Sequence, residues 1–321
     1  MKLRDLLKDI PFTYTAVDLD IDIREVRYDS RAVQPGDLFV AVRGFATDGH
    51  AYIGMALKKG AVAVVCEQAG KGIPAVIVPD ARAALADIAG NRFDHPSRKL
   101  TMVGVTGTNG KTTTTTIIAK LLEAAGRTVH LGGNIGRPLL CDTPDIAPTD
   151  LAVLELSSFQ LMTMDRSPRI AVMTNLSPNH LDVHKSYGEY IAAKENIFTH
   201  QTVRDIAVFN ADNETTVRCA EKAPGRVRWF SRRKEVADGV FLRGTSIVCR
   251  GPQGERVVLD TADIKLPGVH NIENYMAAVA AVDGMVPDEA IRAFARTFGG
   301  VEHRIELVRE LDGVRWYNDS I

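Results

Sequence analysis

A run of glycine and hydroxyl residues carrying one lysine, Thr106-Gly107-Thr108-Asn109-Gly110-Lys111-Thr112-Thr113, stands between two patterned stretches. Residues 102–105 before it are strand-like. After it, Ile117, Ile118, Leu121, Leu122 and Ala125 fall on one face of an amphipathic helix. This order of residue types suits a triphosphate. Glycines let backbone N–H groups turn toward an anion, and a helix that starts at once adds the positive end of its dipole. Lys111 has the reach for the β- and γ-phosphates, and the Thr112 hydroxyl is a hard oxygen ligand for Mg²⁺. Position 105 is valine where the usual phosphate-loop pattern has glycine, so this is a variant of that pattern. The competing structural reading, a strand-to-helix turn without nucleotide, does not account for the lysine–threonine pair at the helix start.

Three further groups could work with a bound phosphate. Glu155 closes the apolar run 151–156, and ligands of open parallel sheets bind beside such strand ends. A carboxylate there can hold Mg²⁺ or simply face solvent. His180, in Asn179-His180-Leu181-Asp182, follows the apolar run 170–174 and is either a ligand or a structural histidine. Lys194 lies on a helix whose start is marked by a capping box, Ser186-Tyr187-Gly188-Glu189. Tyr190, Lys194 and Phe198 recur at i, i+4 and i+8, which puts the lysine inside the apolar face. Burial lowers an amine's pKa. A neutral amine can add CO₂ to become a carbamate, an anion suited to ligating Mg²⁺. The alternative is a lysine that snorkels to solvent.

These groups need a scaffold. Apolar runs at 102–105, 151–156, 170–174 and 206–210 alternate with helical patterns at 113–125 and 187–198. This predicts an α/β domain with a mostly parallel sheet covered on both faces, spanning 98–300. The Val-, Arg- and Gly-rich stretch 226–263 reads as a small antiparallel elaboration. A helix is expected after Asn271 and another opening at Pro287. Residues 1–97 form a separate α/β piece with strand-like runs at 37–42, 61–66 and 74–78 and a helix at 81–93, closed by the polar linker 94–99. Residues 301–321 hold two short strands. Because a lone hairpin is not independently stable, a chain ending there is expected to continue into a further domain.

Composition narrows the classes. The chain has 321 residues and a formal net charge of −1, with no basic run, which argues against an electrostatic nucleic-acid binder. Four scattered cysteines, Cys66, Cys141, Cys219 and Cys249, lack metal or redox spacing and read as reduced thiols. No leader and no membrane-length apolar run stands out. A cytoplasmic monomer is expected, with no nucleic-acid or membrane partner.

Together these residues resemble the Mur ligases, which build the peptide of the UDP-N-acetylmuramoyl precursor of peptidoglycan. The phosphate loop matches, as do Gly132-Gly133-Asn134-Ile135-Gly136, Leu154-Glu155-Leu156-Ser157-Ser158-Phe159-Gln160-Leu161, Asn179-His180-Leu181-Asp182 and Ala192-Ala193-Lys194. So do His270-Asn271-Ile272-Glu273-Asn274, His303-Arg304 and Asn318-Asp319-Ser320. The resemblance implies ATP and Mg²⁺ as cofactors and Lys194 as a carbamylated lysine. It implies Lys111, His180 and Lys194 as the catalytic groups, with metal held by Thr112, Glu155, His180 and Lys194. Gly107, Thr108, Asn109, Gly110, Thr113, Asn271, Arg304 and Asp319 correspond to ATP contacts. Asn134, Ser157 and Gln160 correspond to contacts with the muramoyl substrate.

The central motifs look like the D-glutamate-adding branch. The N-terminal motifs, Asp29-Ser30-Arg31, Pro35-Gly36-Asp37-Leu38-Phe39 and Asp48-Gly49-His50, look like the branch that adds the third residue. Ser30 and Arg31 are the implied UDP contacts. The implied partners are UDP-N-acetylmuramoyl-L-alanine and an amino acid, joined through an acyl phosphate. Ile321 stands where D-glutamate ligases often have lysine, so a third-residue ligase stays open, as does a non-catalytic nucleotide-binding module.

Overall fold

The computed structural model describes residues 1–44, 47–136, 139–179, 184–301 and 306–318. The chain divides into two compact units, Met1–Lys99 and Leu100–Ile321.

In the first unit, strands β1 (Thr13–Thr15), β2 (Val26–Arg27), β3 (Leu38–Val40), β4 (Ala63–Cys66) and β5 (Ala75–Ile77) form a sheet in the order β1-β5-β4-β3-β2. β2 to β5 run parallel, and β1 pairs antiparallel with β5. Helices α1 (Leu3–Leu6), α2 (Ile53–Lys58) and α3 (Ala81–Arg92) cover it. Side chains alternate along a strand. Leu38, Val40, Ala63, Val65 and Val76 therefore pack with α1 and α3, while Phe39, Val64, Cys66 and Ala75 pack with α2. Burial on both faces is why these strands read as unbroken apolar runs.

The second unit holds β6 (Thr101–Thr106), β7 (Val129–Gly133), β8 (Leu151–Glu155), β9 (Ile170–Met173), β10 (Ile206–Asn210), β11 (Arg226–Ser231), β12 (Gly239–Arg243), β13 (Ser246–Gly251) and β14 (Gly254–Asp260). They make one nine-stranded sheet in the order β14-β13-β12-β11-β10-β9-β6-β8-β7. Its helices are α4 (Lys111–Ala124), α5 (Ser158–Leu161), α6 (Tyr187–Thr199), α7 (Glu214–Ala220), α8 (Val269–Val282) and α9 (Asp288–Thr297). Val103, Val105, Val153, Val172 and Val208 point to the α4, α8 and α9 side. Ala171, Met173, Ala207 and Phe209 point to the α5, α6 and α7 side. A two-stranded hairpin, β15 (Glu306–Leu311) with β16 (Val314–Asn318), closes the described chain.

Four expectations need adjusting. The 226–263 stretch does hold the expected antiparallel elaboration, but it starts later and is continuous with the parallel sheet: β11 runs parallel to β10 and β12 parallel to β11, while the β12–β13 and β13–β14 pairs are antiparallel. α8 begins at Val269, so Asn271 lies within its first turn, and Pro287 caps α9 from outside. β7 went unread, because Gly132 and Gly133 at its end have weak strand character and leave only Val129-His130-Leu131 to carry the pattern. Finally, the box at α6 is half formed. Ser186 Oγ accepts from Glu189 N, but the Glu189 carboxylate reaches Lys185 N, one residue beyond the cap.

Candidate functional site

β6 lies between β8 and β9, its parallel neighbours. The chain goes from β6 outward to β7, back to β8, then across to β9 on the other side of β6. This is a topological switch point, where open α/β sheets leave a crevice at the strand ends. Three segments leave neighbouring strands there: the phosphate loop after β6, Glu155 at the end of β8, and Thr174-Asn175 after β9.

The loop is held from several directions. Thr108 N donates to Asn175 O at 2.8 Å, and Asn109 N donates to Asn175 Oδ1 at 3.0 Å. Asn109 O accepts from Thr174 Oγ1 at 2.6 Å and from Asn175 Nδ2 at 3.1 Å. Thr108 Oγ1 donates to Ser177 O and lies 3.1 Å from the Tyr190 hydroxyl. Gly107 and Gly110 have φ of +149° and +76°. A Cβ at Gly107 would run into Thr174 Oγ1, and one at Gly110 into Asn274 Oδ1. Both the backbone angle and the close approach require glycine. Lys111 Nζ donates to Thr108 O at 3.0 Å, folded over its own loop, while Thr113 is half-buried in the first turn of α4.

Glu155 is 2 % exposed. Its two oxygens accept from Thr112 Oγ1 at 2.8 Å and from Asn134 Nδ2 at 3.0 Å. Hydroxyl and carboxylate oxygens beside a phosphate loop are the donor set that Mg²⁺ takes. Among the described residues no three His, Cys, Asp or Glu side chains gather as a metal centre. His180, Arg304 and Asp319 lie outside the described residues.

Lys194 is 2 % exposed, as its helical spacing predicts. α6 packs its apolar face on the sheet and brings the amine to the end of β6. There it donates to Thr106 Oγ1 at 3.1 Å and to Gly107 O at 3.0 Å, and lies 4.9 Å from the Tyr190 ring centroid. Burial, reinforced by the Lys111 charge and opposed by Glu155, pushes the amine down to about 7. The snorkelling alternative is therefore set aside.

Asn271 is buried, donating to Pro267 O at 2.5 Å and accepting from Asn274 Nδ2 at 2.9 Å. Asn274 Oδ1 in turn accepts from Thr114 Oγ1 of α4 at 3.2 Å. Ser157 and Gln160 form a complete capping box on α5. In the first unit, Ser30 is buried with Oγ 3.6 Å from Met55 Sδ, and Arg31 pairs with Asp29. Both line a cleft of about 550 Å³ that also takes in Tyr28, Tyr52 and Arg82. Sequence reasoning missed Thr174, Asn175, Asn274 and Tyr190. Their signals were threonine and asparagine directly after a strand, an asparagine closing the His270–Asn274 motif, and a tyrosine one turn before the buried lysine.

A family model described as the Mur ligase middle domain matches residues 105–282, and one described as the Mur ligase family catalytic domain matches residues 22–93. The UDP-N-acetylmuramoylalanine–D-glutamate ligase of Acetivibrio thermocellus is 54% identical over 217 residues, 68% of this chain and 47% of that protein. The enzyme of the same name from Ruminiclostridium cellulolyticum is 53% identical over the same shares. The chain thus spans about half the length of the curated relatives it matches. A solved UDP-N-acetylmuramoyl-L-alanyl-D-glutamate–2,6-diaminopimelate ligase superposes with TM-score 0.76 at 23% identity, over 97% of this chain and 69% of its own. A Thermotoga maritima MurF ligase solved with ADP gives TM-score 0.66 at 23% identity, over 94% and 72%. These structural likenesses support the fold.

Proposed function

The chain belongs to the Mur ligase family, and from that premise we propose that it carries the nucleotide and muramoyl sites of a cytoplasmic, monomeric ligase joining D-glutamate to UDP-N-acetylmuramoyl-L-alanine. The γ-phosphoryl group of ATP passes to the substrate carboxylate, releasing ADP. The amine of D-glutamate attacks the acyl phosphate, the amide forms, and phosphate leaves. The observation that carries this reading is the meeting of the phosphate loop, Glu155 and a buried, pKa-lowered lysine at one switch point.

The physical demand is to bring two anions together, so positioning and charge compensation dominate. Loop N–H groups and Lys111 compensate the phosphates. Thr112 and Glu155 are the proposed Mg²⁺ donors on the nucleotide side, with His180 and carbamylated Lys194 beside the substrate carboxylate. Bound Mg²⁺ would supply neutralisation of phosphate charge. An amine titrating near 7 is partly neutral at physiological pH, which favours carbamate formation. Asn271, Arg304 and Asp319 are the proposed further ATP contacts. Asn134, Ser157 and Gln160 are the proposed contacts to the muramoyl substrate. Ser30 and Arg31, in the first unit's cleft, are assigned to the UDP group, with residues 1–97 as the UDP-binding domain and 98–300 as the ATP domain.

The test is phosphate release by the natural protein from ATP and UDP-N-acetylmuramoyl-L-alanine with D-glutamate, L-glutamate, L-lysine and diaminopimelate in turn. Release with D-glutamate alone is expected. Release only with lysine or diaminopimelate would transfer the chain to the third-residue branch. Silence with every amino acid would end the ligase reading.

A further inference from the structure

His184, just past the Asn179–Asp182 motif, had no role assigned from the sequence. It is 3 % exposed, with Nε2 2.9 Å from the Ser158 hydroxyl. Its ring stacks on Phe159, centroids 5.3 Å apart and planes 7° from parallel. On its other side it meets the Tyr190 ring edge-on at 5.4 Å. Tyr190 shares the hydrogen bond with Thr108 of the phosphate loop. One imidazole therefore touches both the turn that carries Ser157 and Gln160 and the tyrosine that braces the loop.

α5 needs such a support. It is a single turn, and its own bonds, Leu161 N to Ser157 O and Met162 N to Ser158 O, are too few to hold a helix. Met162 is exposed and Phe159 is half-covered, so anchoring falls to the buried Leu161 and Ser158, to the Phe159 ring on His184, and to Asn196 Nδ2, which donates to Leu161 O at 2.8 Å. Leaving the buried Ser158 hydroxyl without its His184 partner would be costly.

We propose that His184 is a positioning residue. It holds α5, and with it Ser157 and Gln160, at a fixed place relative to the phosphate loop, through Ser158 on one side and Tyr190 on the other. Its effect on substrate rests on the muramoyl reading above; its effect on α5 does not.

The experiment compares the 321-residue chain with His184→Phe, His184→Gln and Ser158→Ala. Amide hydrogen exchange is read at Leu161 and Met162 and, as a control, along α4. Affinities for UDP-N-acetylmuramoyl-L-alanine and for ADP are measured by calorimetry. His184→Phe keeps a ring but loses the polar contact; His184→Gln keeps a polar atom within reach of Ser158. In His184→Phe and Ser158→Ala, exchange at Leu161 and Met162 should rise about 10-fold with α4 unchanged, a local opening and not a global one. UDP-substrate affinity should fall about 10-fold while ADP affinity stays within about twofold, and His184→Gln should remain within about threefold of wild type throughout. Wild-type exchange at α5 in both His184→Phe and Ser158→Ala would overturn the proposal. So would equal losses at α5 and α4, or a glutamine variant no better than phenylalanine. If wild type does not bind the UDP-substrate yet the exchange contrast holds, the muramoyl reading falls and the positioning role stands.

Discussion

Among the described residues, two cations are buried against the large sheet, and the protein treats them in opposite ways. Arg228, on β11, sits among carboxylates: Nε is 3.1 Å from Asp238 Oδ1 and Nη1 is 2.7 Å from Asp283 Oδ2, with Ala280 O also accepting. Burial is the largest single influence and works against its charge, but Asp283, Cys249 and Asp238 together outweigh it and the guanidinium is held above its ordinary value. Lys194, at the end of β6, has among the described residues a hydroxyl and a carbonyl as its acceptors, and burial pushes it down to about 7. A saturated buried charge is architecture. An under-compensated one is poised to change its protonation state, and such groups gather at functional sites.

The largest effect on folding is expected at the architectural cation. Arg228→Ala leaves Asp238 and Asp283 under-compensated, and should lower unfolding free energy by about 3 kcal/mol in urea titrations while ADP affinity of the folded fraction is unchanged. A loss of ADP binding with stability intact would reverse the assignment of the two regions. At the other cation, Lys194→Ala should cut ligation in the natural protein by about 10³-fold with little stability cost, and formate or acetate should restore part of it. Full activity of the unsupplemented variant would remove the carbamate role.

A smaller effect tests the loop between them. Gly110→Ala forces a Cβ against Asn274 at φ +76° and should cost about 1–2 kcal/mol of stability and weaken ADP binding, read by thermal shift with and without ADP. The finest test is pH. The folded pKa of Lys194, about 7, lies below its ordinary 10.5. Below pH 7 both states hold the proton and the cost of burying the charge is complete. Between the two values only the unfolded chain keeps the proton, so stability rises with pH. From pH 7 to pH 9 the wild type should gain about 1–2 kcal/mol relative to Lys194→Met, measured by urea unfolding at each pH. Parallel curves would mean that Lys194 is not under-compensated.

Much of the scaffold around Lys194 was open to reading. β6, α4, β8, β9, α6 and β10 carry strong local periods, and local periods survive folding because burial on a defined face creates them. The spacing of Tyr190, Lys194 and Phe198 was enough to place a lysine in a buried face. β7 was not legible, since glycines blur its pattern, and neither was the parallel pairing of β11 and β12, because strand direction leaves no local trace.

What the sequence determined by itself was therefore the kind of chemistry: a phosphate loop on a strand–helix turn, a carboxylate at a strand end, and a lysine on the apolar side of its helix. What only the tertiary structure decided was their company. Asn175 clamps Asn109 across 66 positions of chain, Lys194 reaches Gly107 across 87, and His184 meets Ser158 across 26. Those meetings follow from strand order. β8 and β9 flank β6 on opposite sides, so their loops converge on one edge, and the order of strands in a sheet is a property of the folded whole that no stretch of residues encodes alone.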